Sequence, residues 1–317
     1  MDVKQLQSLL AIADHGSFSA AAKELDTVQS NVSAHISRLE RELGVTLVDR
    51  HRGRLTDEGD MVAARARRII HEIEDIEADM HSLGDSASGD SRIGTIGTTA
   101  RWLMPRLLTS VARQHPGVRV TVTESATSSL LPLLNAGEID AAVVHLPVTE
   151  GEYEVTELFA ESLLLLCAGS HPLSSRTEIG IAELAEHPIL LAPRGTAQRR
   201  IIDRAAASKG VTLRSQAEID GVRLMTSLAF EGFGAAIVPA SAIPGWLQGD
   251  FTRITVPELP RRVVGWIQRP RPRPNRATLA VRDAALAVVA RHGNSQPGIS
   301  LEIGAPGAKG SRGQRPA

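Results

Sequence analysis

The sequence is short of the features that would point to most chemistries. It has one cysteine, Cys167, in 317 residues, so an internal disulfide framework is excluded. Cys167 sits in the apolar run Leu163–Ala168, where a buried structural thiol is the ordinary reading and a nucleophile or redox sensor the alternative. Aromatic residues are only 3% of the chain, too few for stacking to be a main binding resource. Positive charge is not in excess: the formal net charge is -1, so nucleic-acid binding would have to come from local patches. No stretch approaches the roughly 20 apolar residues that cross a bilayer. The start, MDVKQLQSLL, lacks the charged-then-apolar pattern of a secretory signal. The expectation is a cytoplasmic protein with no membrane partner.

Catalytic signatures are missing as well. There is no GxSxG elbow, HExxH, GxGxxG or phosphate loop. The histidines lack metal-ligand spacing: His115, His171 and His187 each precede proline in turn settings, and His71 and His81 read as solvated flanks of a long helix. No catalytic residue, metal or cofactor is expected, and an enzyme remains the outlying reading. What the chain does have is length for about two or three folding units, and 42% apolar residues, enough for ordinary cores.

Leu6, Leu9, Leu10 and Ala13 have the spacing of an amphipathic helix, which Gly16 ends. Ser19 is a candidate cap for a second short helix, Ala20–Leu25, and Thr27 for a third. On the third helix Val28, Val32, Ile36 and Leu39 share a face. The opposite face carries Ser30, Ser33, Ala34, Ser37, Arg38 and Arg41. Small hydroxyl side chains edged by arginine suit a DNA major groove, and Gln29 in the first turn offers an amide to an adenine edge. A solvated helix face is the plain alternative. Beyond Leu43-Gly44, two short alternating runs flank a turn with Arg50, Arg52 and Arg54, as in a β-hairpin wing reaching phosphates or the minor groove.

From Asp57 to about Leu83 one helix is predicted. Val62, Ala66, Ile69, Ile73, Ile76, Met80 and Leu83 repeat every 4 and 3 residues, a heptad seam. The seam serves either a homodimeric coiled coil or packing on its own domain. A dimer would place two recognition helices roughly 34 Å or more apart, which matches a dyad-symmetric site on double-stranded DNA. Gly84–Asp90 reads as a polar linker.

The run Gly16-Ser17-Phe18-Ser19-Ala20-Ala21-Ala22, then Leu25, Val28-Gln29-Ser30, Ser33, Ile36, Leu39-Glu40, Leu43-Gly44, Leu47, Arg50 and Leu55-Thr56-Asp57-Glu58-Gly59, resembles the LysR-type transcriptional regulators. The match is ordered and ungapped over nearly the first sixty residues. It implies an N-terminal all-α winged helix-turn-helix over 1–58 and a linker helix and hinge over 59–90. Gln29, Ser30 and Ser33 would be DNA contacts, with Ser37, Arg38, Arg50, Arg52 and Arg54 beside them. Ser30 stands where the family usually has proline, Ala34 where it often has a basic residue, and Val48 where phenylalanine is common.

After Arg92, strand-like and helix-like segments alternate. Examples are Ile93–Gly97, Trp102–Gln114, Val118–Thr123, Leu130–Asn135 and Ile139–Val144. Alternation implies parallel sheets with helices on both faces. The phrases Leu103-Met104-Pro105, His115-Pro116-Gly117-Val118, Leu134–Asp140, His171-Pro172-Leu173 and Gly232-Phe233-Gly234 resemble the same family's α/β two-lobed effector domain, itself similar to periplasmic binding proteins. The resemblance implies an effector domain over 91–292, with lobe I at 91–162 and 266–292 and lobe II at 163–265. Hydroxyl-rich segments follow strands where ligands bind such sheets: Thr98-Thr99, Thr127-Ser128 and Thr196. With Arg101 and Arg194 they would hold a small, anionic effector; capping of their own helices is the alternative. Arg269–Arg276 is a basic, proline-rich loop, free in solvent or touching DNA or a partner. Residues 293–317 are expected to be disordered. The resulting reading is a homodimeric or homotetrameric regulator, with RNA polymerase as a possible contact. A sensing module without DNA output is the alternative.

Overall fold

The computed structural model describes residues 1–50, 52–81, 87–148 and 151–302, without the side chains of residues 78, 79 and 81. Leu83, residues 84–86 of the expected linker and the tail from 303 onward lie outside the described residues.

The N-terminal unit is α1 (Val3–His15), α2 (Phe18–Glu24), α3 (Gln29–Leu43), β1 (Val48–Asp49) and β2 (Arg54–Leu55). Asp2 and Gln5 close a capping box at the start of α1, and Gly16 ends it at φ 69°. Ser17, not Ser19, caps α2: its hydroxyl accepts from the Ala20 amide at 3.1 Å, so the helix starts two residues earlier than expected. The cap of α3 is Val28, with no side-chain bond. The Thr27 hydroxyl accepts instead from Asn31 Nδ2 at 3.0 Å. Val32, Ile36 and Leu39 are fully buried against Leu9, Ile12 and Ala21. Val28 is 59% exposed, because it precedes the helix and leaves its apolar face. β1 and β2 pair antiparallel as the expected wing. Gly53, at the wing turn, has φ +64°, and a Cβ there would lie 2.7 Å from the Gly16 carbonyl oxygen, so only glycine fits.

Helix α4 (Asp57–His81) leaves this unit. Ala63 and Ala66 are buried in the head's core, while Ile69, Ile76 and Met80 of the heptad seam stand 41%, 62% and 56% exposed.

The rest forms two lobes. In chain order come β3 (Ser88–Thr95), α5 (Gly97–Gln114), β4 (Gly117–Glu124), α6 (Thr127–Ala136), β5 (Ala141–Leu146) and β6 (Glu154–Glu161). Then follow β7 (Leu163–Ala168), α7 (Ile181–Leu184), β8 (Pro188–Leu191), α8 (Ala197–Ser208), β9 (Arg214–Glu218), α9 (Val222–Phe230), β10 (Ala235–Pro239) and β11 (Phe251–Thr255). The chain closes with β12 (Arg262–Gln268), α10 (Arg276–His292) and β13 (Ile299–Ser300). Lobe I holds the six-stranded sheet β13-β6-β12-β5-β3-β4, and lobe II the five-stranded sheet β11-β7-β10-β8-β9.

The sheets are mixed, not parallel as expected. β3, β4 and β5 are parallel, as are β8, β9 and β10, since helices connect them. β6, β7, β11, β12 and β13 pair antiparallel. A parallel connection within a sheet needs a crossover long enough for a helix; after β6 the chain instead leaves lobe I through Ser162 alone and enters the lobe II sheet at β7. The chain returns to the lobe I sheet at Arg262. Ser88–Asp90, expected in the linker, already belong to β3, paired with β4. The stretch after His292 is not disordered at its start: β13 pairs with β6, and Ile299 is buried. Trp102 and Trp266 anchor the lobe I core, with Trp102 edge-on to Phe159 at 5.2 Å.

Candidate DNA interface and effector cleft

Helix α3 presents Gln29 and Ser30 to solvent at its first turn, with Arg38 and Arg41 exposed further along. Ser33 and Ser37 are half-buried because the wing reaches back over them. Arg50 donates from Nη1 to Ser33 Oγ at 3.0 Å and from Nη2 to Ser37 Oγ at 2.9 Å. The same guanidinium lies 3.5 Å from the Glu40 carboxylate and 5.4 Å above the Phe18 ring. Three of the residues expected to meet DNA separately are thus one connected group. Glu40 completes it: its Oε1 accepts from the backbone amides of Leu47 and Val48 at 2.8 and 3.2 Å, fixing the wing to α3. Glu40 was not among the expected site residues, although Leu39-Glu40 lies within the matched motif. Arg52 is beside Asp49 at 3.6 Å, and Arg54 is exposed.

The second candidate site lies where α5 and α6 begin, at the carboxyl ends of β3 and β4. The caps of both helices are Ile96 and Ala126, without side-chain bonds, so Thr98, Thr99, Thr127 and Ser128 do not cap their own helices. Thr98 is 8% exposed, and Thr99 is fully buried with an Oγ1 that has no hydrogen-bond partner among the described residues. Thr196 is different. It caps α8, accepting from the Arg199 amide at 3.2 Å, and its hydroxyl donates to the Pro193 carbonyl at 3.0 Å. Arg194 is exposed. Arg101 is not gathered with these residues: it lines a surface groove with Arg106, Arg113, Trp246 and Arg291.

A residue not foreseen occupies the start of α5. A Cβ on Gly97 would lie 2.8 Å from Glu124 Oε1, so the Glu124 carboxylate rests over the helix N-terminus, where backbone amides favour an anion. Arg223 of α9 in lobe II pairs with it at 2.9 Å, an ion pair from one lobe to the other. Deeper, Glu161 and Arg262 form a buried pair at 2.7 Å where the chain crosses between lobes. Glu161 Oε2 also accepts from the Ser241 amide at 3.1 Å. Burial, then the nearby Arg262 charge, pushes His145 well below its ordinary pKa. Glu161 and Arg262 face each other on β6 and β12 of the lobe I sheet, while Glu124 and Arg223 join the two lobes; both pairs are far apart in sequence, so no local spacing signals them.

His71 corrects another expectation. It is 6% exposed, not a solvated flank, and its Nε2 lies 2.9 Å from Asp140 Oδ1. Nor is the loop from Arg269 simply solvated. Arg269 and Asn275 pack beside Glu72, Asp75 and Asp140. Among the described residues no cluster of histidine, cysteine and carboxylates could hold a metal, and no helix is long and apolar enough to cross a membrane.

A winged helix-turn-helix head on a two-lobed ligand-binding body defines a DNA-binding regulator that responds to a small molecule. Residues 3–60 match the family described as bacterial regulatory helix-turn-helix protein, lysR family, and residues 84–290 match the LysR substrate binding domain. The chain belongs to the LysR family of transcriptional regulators. It is 26% identical over 275 residues to the DNA-binding transcriptional dual regulator OxyR of Escherichia coli, covering 85% of this chain and 90% of that one. It is 32% identical over 247 residues to a "Probable hydrogen peroxide-inducible genes activator" of Mycobacterium leprae, covering 75% and 78%. Its fold matches full-length CbnR complexed with its target DNA, with a TM-score of 0.68 at 23% identity, over 92% of this chain and 99% of that one.

Proposed function

We propose that this protein acts as a cytoplasmic homodimer, or a dimer of dimers, that reads a dyad-symmetric promoter site and has no enzymatic activity. The observation that carries the dimer is the exposed seam Ile69, Ile76 and Met80 on α4, an apolar stripe with heptad spacing that a second α4 would cover. Each head would insert α3 into a major groove, with Gln29 and Ser30 at the base edges and Arg38, Arg52 and Arg54 toward phosphates. Arg50, already oriented by Ser33 and Ser37, would present a fixed cation beside them. Contact with RNA polymerase would follow from promoter binding.

The effector would enter between the lobes at Thr98, Thr99, Thr127 and Ser128, with Arg194 and Thr196 on the opposite side and Arg101 more remote. An anionic effector would take the position now held by the Glu124 carboxylate at the start of α5, releasing Arg223 to bind it. Mobility-shift titration on upstream promoter DNA tests the reading: a sequence-selective, salt-sensitive shift is expected, and its absence would leave only a sensing module.

The peroxide-responsive relatives raise a second reading, thiol-based peroxide sensing. It is disfavoured here. Cys167 is the only cysteine in the sequence, it is fully buried in β7, and burial pushes its thiol up. Peroxide reacts with exposed, low-pKa thiolates.

A further inference from the structure

We propose that His71 and Asp140 are positioning residues that clamp α4 to lobe I, so that the DNA-binding head and lobe I turn as one body. The clamp is built from four parts of the chain. His71 on α4 donates from Nε2 to Asp140 Oδ1 at 2.9 Å, and Asp75, one turn on, lies 3.3 Å from the same nitrogen. Asp140 is 8% exposed; it also accepts from the Arg92 amide at 2.7 Å and from Arg92 Nη2 at 3.1 Å. Asn275, which caps α10, donates from Nδ2 to Asp75 Oδ1 at 2.6 Å and to the Asp90 carbonyl at 2.9 Å. The basic proline-rich loop therefore closes over the helix and brings α10 into the same group.

Position in lobe I gives the clamp its consequence. Arg92 and Asp140 stand where β3 and β5 begin to pair, at Ile93 and Ala141. β3 then runs through the sheet to α5, whose first turn carries Thr98 and Thr99. The clamp thus holds the strand that leads directly into the cleft. A packed sheet transmits rotation and does not stretch. The effector signal then reaches the head as a turn of lobe I against lobe II, not as bending between α4 and lobe I.

Charge makes the clamp sensitive to pH. His71 faces Asp140 and Arg92 from lobe I and Glu74 and Asp75 from its own helix, with Arg68, Glu72 and Arg269 around them. Burial opposes the imidazolium, but the Asp140 hydrogen bond and charge outweigh it, and the His71 pKa lies above its ordinary 6.5. Burial likewise opposes the Asp140 carboxylate, but the His71 hydrogen bond and the Arg92 charge hold it below its ordinary 3.8. The His71 contribution is complete below 6.5 and is lost as pH rises through its raised folded value. The Asp140 contribution is present above 3.8 and is lost as pH falls through its depressed value. The clamp is tightest between these limits and opens on the alkaline side.

The test measures the distance between spin labels at Lys23→Cys in the head and Gln114→Cys in lobe I. The full-length chain is used, mixed with excess unlabelled chain so that only the distance within one chain is read. It requires neither effector nor operator, so its failure is separate from failure of the proposed function. At mildly acidic pH the distribution should be one narrow peak, which broadens as pH is raised through the His71 titration. His71→Ala should lose the narrow peak at every pH. His71→Gln keeps a donor for Asp140 without a titrating ring, so it should keep the peak and abolish its pH response. A narrow peak that survives in both His71→Ala and Asp140→Asn, with each variant melting cooperatively, would overturn the proposal.

Discussion

The Arg50 guanidinium on the wing lies 3.0 Å from the Ser33 hydroxyl on α3, so two residues proposed to face DNA hold each other before any DNA arrives. A side chain already fixed loses less rotamer freedom on binding than a free one. Arg50→Ala is predicted to weaken binding about equally across sequences and to lower the salt slope by about 1, as expected for one lost phosphate contact. Salt titrations of the mobility shift read both quantities. A slope equal to that of the unaltered protein would leave Arg50 a purely internal brace.

Among the described residues Gln29 makes no side-chain hydrogen bond or ion pair, and it stands exposed in the first turn of α3. Gln29→Ala is predicted to relax base preference at one position in each half-site, at a cost of about 1–3 kcal/mol. Selection from a randomised half-site checks this. Retained preference at every position would refute the reading role.

Thr98 and Thr99 do not cap α5, and Thr99 Oγ1 is buried without a partner among the described residues. A buried hydroxyl left unpaired costs about 1–3 kcal/mol, and a ligand or water that pairs with it recovers that cost. Thr98→Val is predicted to weaken the effector response and to leave DNA affinity unchanged. Loss of both would mark the position as structural.

Glu124 and Arg223 pair across the lobes at 2.9 Å, with both side chains partly exposed. Glu124→Gln removes the internal anion from the start of α5. For an anionic effector it should tighten binding, since nothing charged need be displaced, and it should widen lobe separation in the empty protein. Small-angle scattering and calorimetry with the effector measure the two effects. Weaker effector binding in this variant would point to a cationic effector instead.

The head was largely legible in the sequence because its logic is local. Val32, Ile36 and Leu39 recur at helical spacing, and all three are fully buried. Small errors came where two residues compete for one local role. Ser17 and Ser19 both suit a cap, and only the backbone decides between them. The lobes were legible as alternating strands and helices but not as mixed sheets, because strand direction depends on how the chain crosses between lobes. The clamp was hidden. His71 and Asp140 are 69 positions apart, and on a helix with a clean heptad seam a lone histidine reads as a solvated flank. The cross-lobe pair was hidden for the same reason, since the Arg223 and Glu124 partners are 99 positions apart.

The seam on α4 carries the central claim, that two chains read one dyad-symmetric site. The most direct test is footprinting combined with sedimentation of the complex. Two chains, or two pairs of chains, should protect half-sites in successive major grooves on one face of the duplex. Ile76→Asp should abolish the paired footprint while each head stays folded. A single chain protecting one half-site, or a paired footprint unchanged in Ile76→Asp, would contradict it.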